Sequence, residues 1–207
     1  MKENDFNSVA PIYDRLAKLI FGQTLVNAQL AFTDHIKPHG RVLILGGGTG
    51  WFLEALLKKW PKLEVDYVEA SEAMIKLSEK RDLPAGRLHF IHGTHEDIPG
   101  AKYDLIITHF FLDVFDADSL QATTKHLGNL LAIDGLWLCA DFQKTGKWHH
   151  RLLLWLMHRF FRITSGLQAP HIQAIPEAIE QQGMCREAFK TWKRGLVFSG
   201  LWQKSLT

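Results

Sequence analysis

Val42-Leu43-Ile44-Leu45-Gly46-Gly47-Gly48-Thr49-Gly50 runs a short apolar strand straight into a glycine turn, and Trp51-Phe52-Leu53-Glu54-Ala55-Leu56-Leu57 continues at helical spacing. Glycine lacks a Cβ, so such a turn takes left-handed backbone readily and lets a ligand approach the chain closely. The start of the following helix presents unpaired N–H groups and positive potential, which suit an acidic or polar ligand edge. The dinucleotide-binding form of the loop needs a further glycine at position 51; Trp51 stands there, and the spacing is G-x-G-x-G.

Outward from this loop, strand-length and helix-length segments alternate. The first strand spans 41–45, after the breakers Pro38 and Gly40. Its helix, about 50–59, carries Phe52, Leu53, Leu56 and Leu57 on one face and stops before Pro61. Further strands are expected at 63–68, 88–91, 103–108 and 136–140, with a helix from Ser71 to about Lys80. Asp116 or Asp118 caps a helix bearing Leu120, Leu127, Leu130 and Leu131. At the tail, 187–192 and 196–204 read as strands joined by Lys193-Arg194-Gly195, an antiparallel hairpin. Such alternation predicts an α/β, Rossmann-like three-layer sandwich, with a mostly parallel seven-stranded sheet and an antiparallel C-terminal hairpin strand.

The second decisive residue is Glu69, closing Val65-Asp66-Tyr67-Val68-Glu69. An acid ending the second strand, about twenty residues after a glycine loop, is placed to bind two ribose hydroxyls. The plainer reading is a helix-capping or solvated glutamate.

Composition bounds the rest. The chain has 207 residues, a natural length for one α/β domain. A net charge of +2 gives no argument for nucleic acid, and the eleven histidines form no metal-ligand spacing. Cys139 and Cys185 are too few for a disulfide framework, the start Met1-Lys2-Glu3-Asn4-Asp5 has no secretory character, and the densest apolar run, 152–157, is too short to span a membrane. A cytoplasmic setting is the expectation. We expect one domain over 1–207: a helical cap (1–40), a cofactor-binding core (41–142), a helical acceptor-side insert (143–184) and a strand hairpin (185–207). Nothing in the pattern sets an oligomeric state.

Residues 42–50 resemble the first motif of class I S-adenosylmethionine-dependent methyltransferases, and Glu69-Ala70-Ser71-Glu72-Ala73-Met74 resembles their second. Phe90-Ile91-His92-Gly93-Thr94-His95-Glu96-Asp97-Ile98-Pro99 is similar to their adenine-flanking segment, Tyr103-Asp104-Leu105-Ile106-Ile107-Thr108 to their fourth strand, and 129–138 to the turn into the fifth. The opening Phe6-Asn7-Ser8-Val9-Ala10-Pro11-Ile12-Tyr13-Asp14 is similar to enzymes that methylate quinone precursors and other small molecules. Two positions depart from the pattern: Ile44, where the family often has an acid, and Thr94, where an Asp usually follows the glycine.

The resemblance implies S-adenosyl-L-methionine as cofactor and a small-molecule acceptor. It implies that Gly46, Gly47, Gly48 and Gly50 lie against the cofactor, with Glu69 on the ribose, Ala70, Ser71 and Met74 about the adenine, and Thr94, His95 or Glu96 at its edge. Tyr13 would close over the methionine end. His109 and Asp113, after the fourth strand, lie where ligands bind in such sheets. Each is a candidate base or a residue without a proton role, and His109 also a cofactor contact. Methyl transfer needs a base only when the nucleophile arrives protonated.

Segment 147–163 places Leu152, Leu153, Leu156, Met157, Phe160, Phe161 and Ile163 on one helical face and Lys147, Arg151, His158 and Arg162 on the opposite one, flanked by Trp148, Trp155 and Arg159. It reads as a helix covering the sheet, or as a contact to a membrane surface or lipophilic substrate. Competing functions are an NAD(P)-binding oxidoreductase, a non-catalytic S-adenosyl-cofactor-binding protein and an aminopropyl transferase, the last lacking an evident pair of acids after the fourth strand.

Overall fold

Odd and even residues of the central strands face opposite layers, as a sheet buried on both sides requires. The computed structural model describes residues 21–84, 87–148, 150 and 173–204. Its strands are β1 (His39–Leu45), β2 (Lys62–Glu69), β3 (Leu88–His92), β4 (Tyr103–His109), β5 (Leu131–Phe142), β6 (Met184–Trp192) and β7 (Val197–Lys204). The helices are α1 (Thr24–Leu30), α2 (Trp51–Lys59), α3 (Glu72–Glu79), α4 (Ala117–Leu130) and α5 (Ile175–Glu180). Among the described residues, 3₁₀ turns lie at Thr33–His35, Leu112–Val114 and Lys193–Gly195.

The strands form one sheet in the order β3-β2-β1-β4-β5-β7-β6. Pairs from β3 to β5 are parallel, and β7 runs antiparallel to both β5 and β6. The expected α/β sandwich with its antiparallel hairpin is therefore the observed architecture. On one face, Val42, Ile44, Val65, Tyr67, Leu105 and Ile107 pack with Phe52, Leu53, Leu56 and Leu57 of α2. On the other, Leu43, Leu45, Ile106, Trp137 and Trp202 pack with Leu120 and Leu127 of α4 and Ile175 and Ile179 of α5. Each fully buried leucine of α2 contributes roughly 1.5–3 kcal/mol over leaving it exposed.

Local signals account for the ends of these elements. Ser71 caps α3 by accepting from the Met74 N–H at 3.3 Å. Asp116, rather than Asp118, caps α4, accepting from the Ser119 N–H at 2.8 Å; such caps contribute about 1 kcal/mol each. The boundaries that differ most from the sequence expectation are the starts of β5 and β6. Leu131 is not on α4: it is extended, opens β5 and pairs with Tyr103. The next pair is Leu105 with Leu136, so residues 132–135 bulge out of register, with Asp134 at φ 57°. Strand β6 begins at Met184, earlier than position 187, and carries a bulge between Arg186 and Ala188.

An ion network centred on buried Asp66, midway along β2, ties it to β1, β3 and β4. Asp66, 1% exposed, accepts from Arg41 Nη2 at 2.9 Å and Nε at 3.2 Å and from the Tyr103 hydroxyl at 2.8 Å. His89 Nδ1 lies 3.0 Å from its other oxygen. Burial works to raise the Asp66 pKa, but the hydrogen bonds of Tyr103, His89 and Arg41 outweigh it and hold the carboxyl below its ordinary value.

Candidate active site

Strand order reverses between β1 and β4, which leaves a crevice beyond their carboxyl ends. The glycine loop leaves β1 there: Gly46, Gly48 and Gly50 have φ of 62°, 63° and 73°. All three use the left-handed region that glycine tolerates. Their surroundings separate their roles. A Cβ on Gly46 would meet the Phe111 ring at 2.6 Å, one on Gly47 the Tyr67 ring at 2.1 Å, and one on Gly50 the Ser78 Oγ at 2.6 Å. A Cβ on Gly48 would meet nothing within 4 Å. Gly48 thus faces open space, whereas the other three glycines are required by neighbours within the protein.

Glu69, 7% exposed, ends β2 beside this loop. Its Oε2 accepts from the Gly48 N–H at 2.9 Å and its Oε1 from the Ser71 N–H at 2.9 Å. Burial pushes its carboxyl above the usual range, against the N–H groups of Ser71, Gly48 and Ala70. Each oxygen keeps a further lone pair, so the carboxylate retains acceptor capacity for two hydroxyls. That capacity, with the open room at Gly48, fits the ribose-bearing cofactor implied by the motifs.

The remaining expected residues lie on the segments that follow β2 and β3. Ala70 is exposed at the end of β2, its carbonyl 3.1 Å from His92 Nε2. Met74 is buried, and Ser71 is occupied as the α3 cap. Thr94 belongs to a tight turn in which Asp97 accepts its N–H at 2.8 Å, and Glu96 is exposed beside it. His95 stands edge-on to Phe115 at 5.3 Å, and burial lowers its pKa. Tyr13 and most of 147–163 lie outside the described residues.

Beyond β4 the chain turns sharply. Phe110 has φ 54°, a strained value for a bulky residue. Rings line this edge: Phe111 against Phe115 at 5.3 Å, and Phe142 against both Phe110 and Phe21 at 5.3 Å. His109 is held inside. Its Nδ1 accepts the Ala140 N–H at 3.1 Å, and its ring stands edge-on to Phe52 at 4.6 Å. Burial lowers its pKa to about 3, against a smaller pull from the Gln29 backbone, and Nε2 makes no hydrogen bond among the described residues. Such an imidazole stays neutral, with its basic nitrogen already engaged.

Asp113 sits on the 3₁₀ turn after β4, where burial raises its pKa to about 6. Its neighbour is an acid that sequence reasoning passed over. Asp141, at the end of β5, is 0% exposed and accepts from the Leu112 N–H at 3.0 Å and the Phe142 N–H at 2.8 Å. Burial, then the adjacent Asp113, push Asp141 well above its ordinary value. The available signal was an acid interrupting the apolar run Leu138-Cys139-Ala140-Asp141-Phe142. No group of three or more potential metal ligands occurs among the described residues.

The fold and this site define a class I, Rossmann-like S-adenosylmethionine-dependent methyltransferase domain. Comparison agrees: the family described as "Methyltransferase domain" matches residues 16–183, and the chain belongs to it. A curated relative, a malonyl-[acyl-carrier protein] O-methyltransferase of Priestia megaterium, is 33% identical over 140 residues, covering 66% of this chain and 49% of that enzyme. The chain thus spans about half the length of that relative. Among solved structures, a Haloferax volcanii complex of the Trm112 methyltransferase activator with its methyltransferase superposes with TM-score 0.76 at 14% identity, covering 100% of this chain and 99% of that one. CalO1, a methyltransferase of calicheamicin biosynthesis solved with SAH bound, superposes with TM-score 0.66 at 16% identity, covering 97% of this chain and 60% of that one. These likenesses concern the fold.

Proposed function

We propose that this protein transfers a methyl group from S-adenosylmethionine to a small apolar or aromatic acceptor by in-line displacement. The observation that carries this reading is the pairing of Glu69 with Gly48 at the crevice, directly beside the ring-lined edge after β4. The cofactor supplies a methyl group already activated as a sulfonium substituent, so the protein's work is alignment. Glu69 orients the ribose through its free lone pairs, and Gly48 gives room for close approach. Ala70, Ser71 and Met74 border the adenine side, and Thr94, His95 and Glu96 its edge. The phenylalanines at 110, 111 and 115 exclude water and offer apolar faces to the acceptor.

For an acceptor that arrives protonated, Asp113 is the better-placed base. It stands on the turn that follows β4, with a pKa of about 6, near the range where a base works best. His109 orders the β4–β5 edge through Ala140.

A second reading has one specific support, the malonyl-[acyl-carrier protein] O-methyltransferase activity of the curated relatives. There the acceptor is a carboxylate on a carrier-bound acyl group, which is already deprotonated and needs no base. A panel of aromatic, quinol-like and acyl-thioester carboxylate acceptors, assayed for release of S-adenosylhomocysteine, separates the two. Turnover only with small polar acceptors outside both classes would refute both.

A further inference from the structure

We infer that Tyr67 is a positioning residue for the cofactor loop, its hydroxyl fixing the carbonyl side of Gly48 while Glu69 fixes the N–H side. This rests on the reading that the loop and Glu69 hold the cofactor. Tyr67 and Glu69 are two residues apart on β2, so both side chains leave the same face of the sheet. The Tyr67 hydroxyl donates to the Gly48 carbonyl at 2.8 Å, and Glu69 Oε2 accepts the Gly48 N–H at 2.9 Å. One left-handed residue is thereby held at both polar groups by a single strand.

Three further contacts belong to the same device. Tyr67 fills the space a Cβ on Gly47 would need, so position 47 is glycine to admit the ring. Its register partner on β1 is Ile44, an apolar residue with no group to offer the loop. Ser78 Oγ reaches the Gly48 carbonyl at 3.0 Å, the Met74 carbonyl at 3.0 Å and the Tyr67 hydroxyl at 3.1 Å. A serine has one proton to share among these acceptors, which leaves Tyr67 as the steadier donor to Gly48. Arg81 adds a hydrogen bond to the Thr49 carbonyl and an ion pair with Glu54 at 2.8 Å, closing the loop on its far side.

The test is Tyr67→Phe in the full chain, which keeps the ring over Gly47 and removes the hydroxyl. Calorimetric titration with S-adenosylhomocysteine should give about tenfold weaker binding, the size of one net hydrogen bond spent on ordering the loop. Amide exchange at Gly48, Thr49 and Gly50 should quicken, while the melting temperature without ligand changes little. Lower thermal stability with binding and loop exchange unaltered would overturn the inference and leave Tyr67 a packing residue. Should Tyr67→Phe fail to fold, Ser78→Ala carries the test: with Tyr67 still donating to Gly48, affinity within about threefold of wild type and loop exchange near wild type are expected; about tenfold weaker binding with quickened loop exchange there would overturn the inference by assigning the Gly48 carbonyl to the serine. Glu69→Ala in the same titration separates the two claims. Lost binding there with an unaltered Tyr67→Phe refutes the role of Tyr67 alone, whereas unaltered binding in both refutes the cofactor site itself.

Discussion

Glu69→Gln should sever cofactor affinity from stability. In the ligand-free protein Glu69 is a buried carboxyl whose pKa is raised chiefly by desolvation. A raised folded-state pKa means the folded protein binds more protons than the unfolded one just above the ordinary glutamate value. Stability therefore falls as pH rises through that window, and the ionised form is a burden at neutral pH. Glutamine removes the burden but replaces one acceptor oxygen with a donor NH₂. One of the two N–H groups, on Gly48 or Ser71, then loses its partner. Such an unpaired buried donor costs about 1–3 kcal/mol, so the two changes oppose each other. We expect a melting temperature within about 3 °C of wild type, since 1 kcal/mol moves a domain of this size by roughly 2–4 °C. Binding has no such compensation. The remaining amide oxygen still accepts from one ribose hydroxyl, and the hydrogen bond lost from the other, at about 1.5–3 kcal/mol to a carboxylate, corresponds to roughly ten- to hundredfold weaker binding. Calorimetry with S-adenosylhomocysteine and a thermal scan without ligand give both numbers. Affinity within threefold of wild type, or a melting temperature lowered by about 10 °C, would show that Glu69 serves the fold and not the ligand.

Other perturbations probe the remaining parts. Asp66→Asn should destabilise the protein by about 1–3 kcal/mol in chemical denaturation by weakening the hydrogen bonds of Arg41 and Tyr103; because the Asp66 pKa is lowered, its stabilisation is present above the ordinary aspartate value and lost as pH falls through the folded one, so the wild type should lose its stability advantage over the variant in acid. Asp113→Asn, once an acceptor is identified, should abolish a rising limb of kcat centred near pH 6 if that acceptor is protonated; a profile identical to wild type would remove Asp113 as the base. Gly47→Ala should cost about 1–3 kcal/mol in thermal or urea melts, because its Cβ would stand 2.1 Å from the Tyr67 ring.

The chain order of strands and helices was legible because it rests on local period: Val42, Ile44 and Val65 alternate as strand residues do, and Phe52 to Leu57 repeat as a helix face does. The glycine loop and Glu69 were legible for the same reason, being adjacent to strand ends. The start of β5 was not, because Leu130 and Leu131 continue the helical apolar face and only pairing with Tyr103 draws Leu131 into the sheet. Asp134-Gly135, read as part of the turn into the fifth strand, lies instead in the bulge inside β5. Asp141 escaped notice because its hydrogen bond runs to Leu112, 29 residues away in sequence. Tyr67 looked like any core aromatic; its partners on Gly48 and Ser78 come together only when β2, the loop and α3 pack.

The Asp66 network sits part-way along the strands whose carboxyl ends carry the glycine loop and the aromatic edge, and this separation makes the molecule divisible for engineering. Arg41, His89 and Tyr103, near the beginnings of their strands, close on Asp66 at the middle of β2, whereas the strained Phe110 and the rings after it crown the carboxyl ends. Libraries that randomise positions 110, 111 and 115 to reach new acceptors would leave that clamp intact, so tolerance to change is supplied by the body of the sheet and novelty by its carboxyl edge.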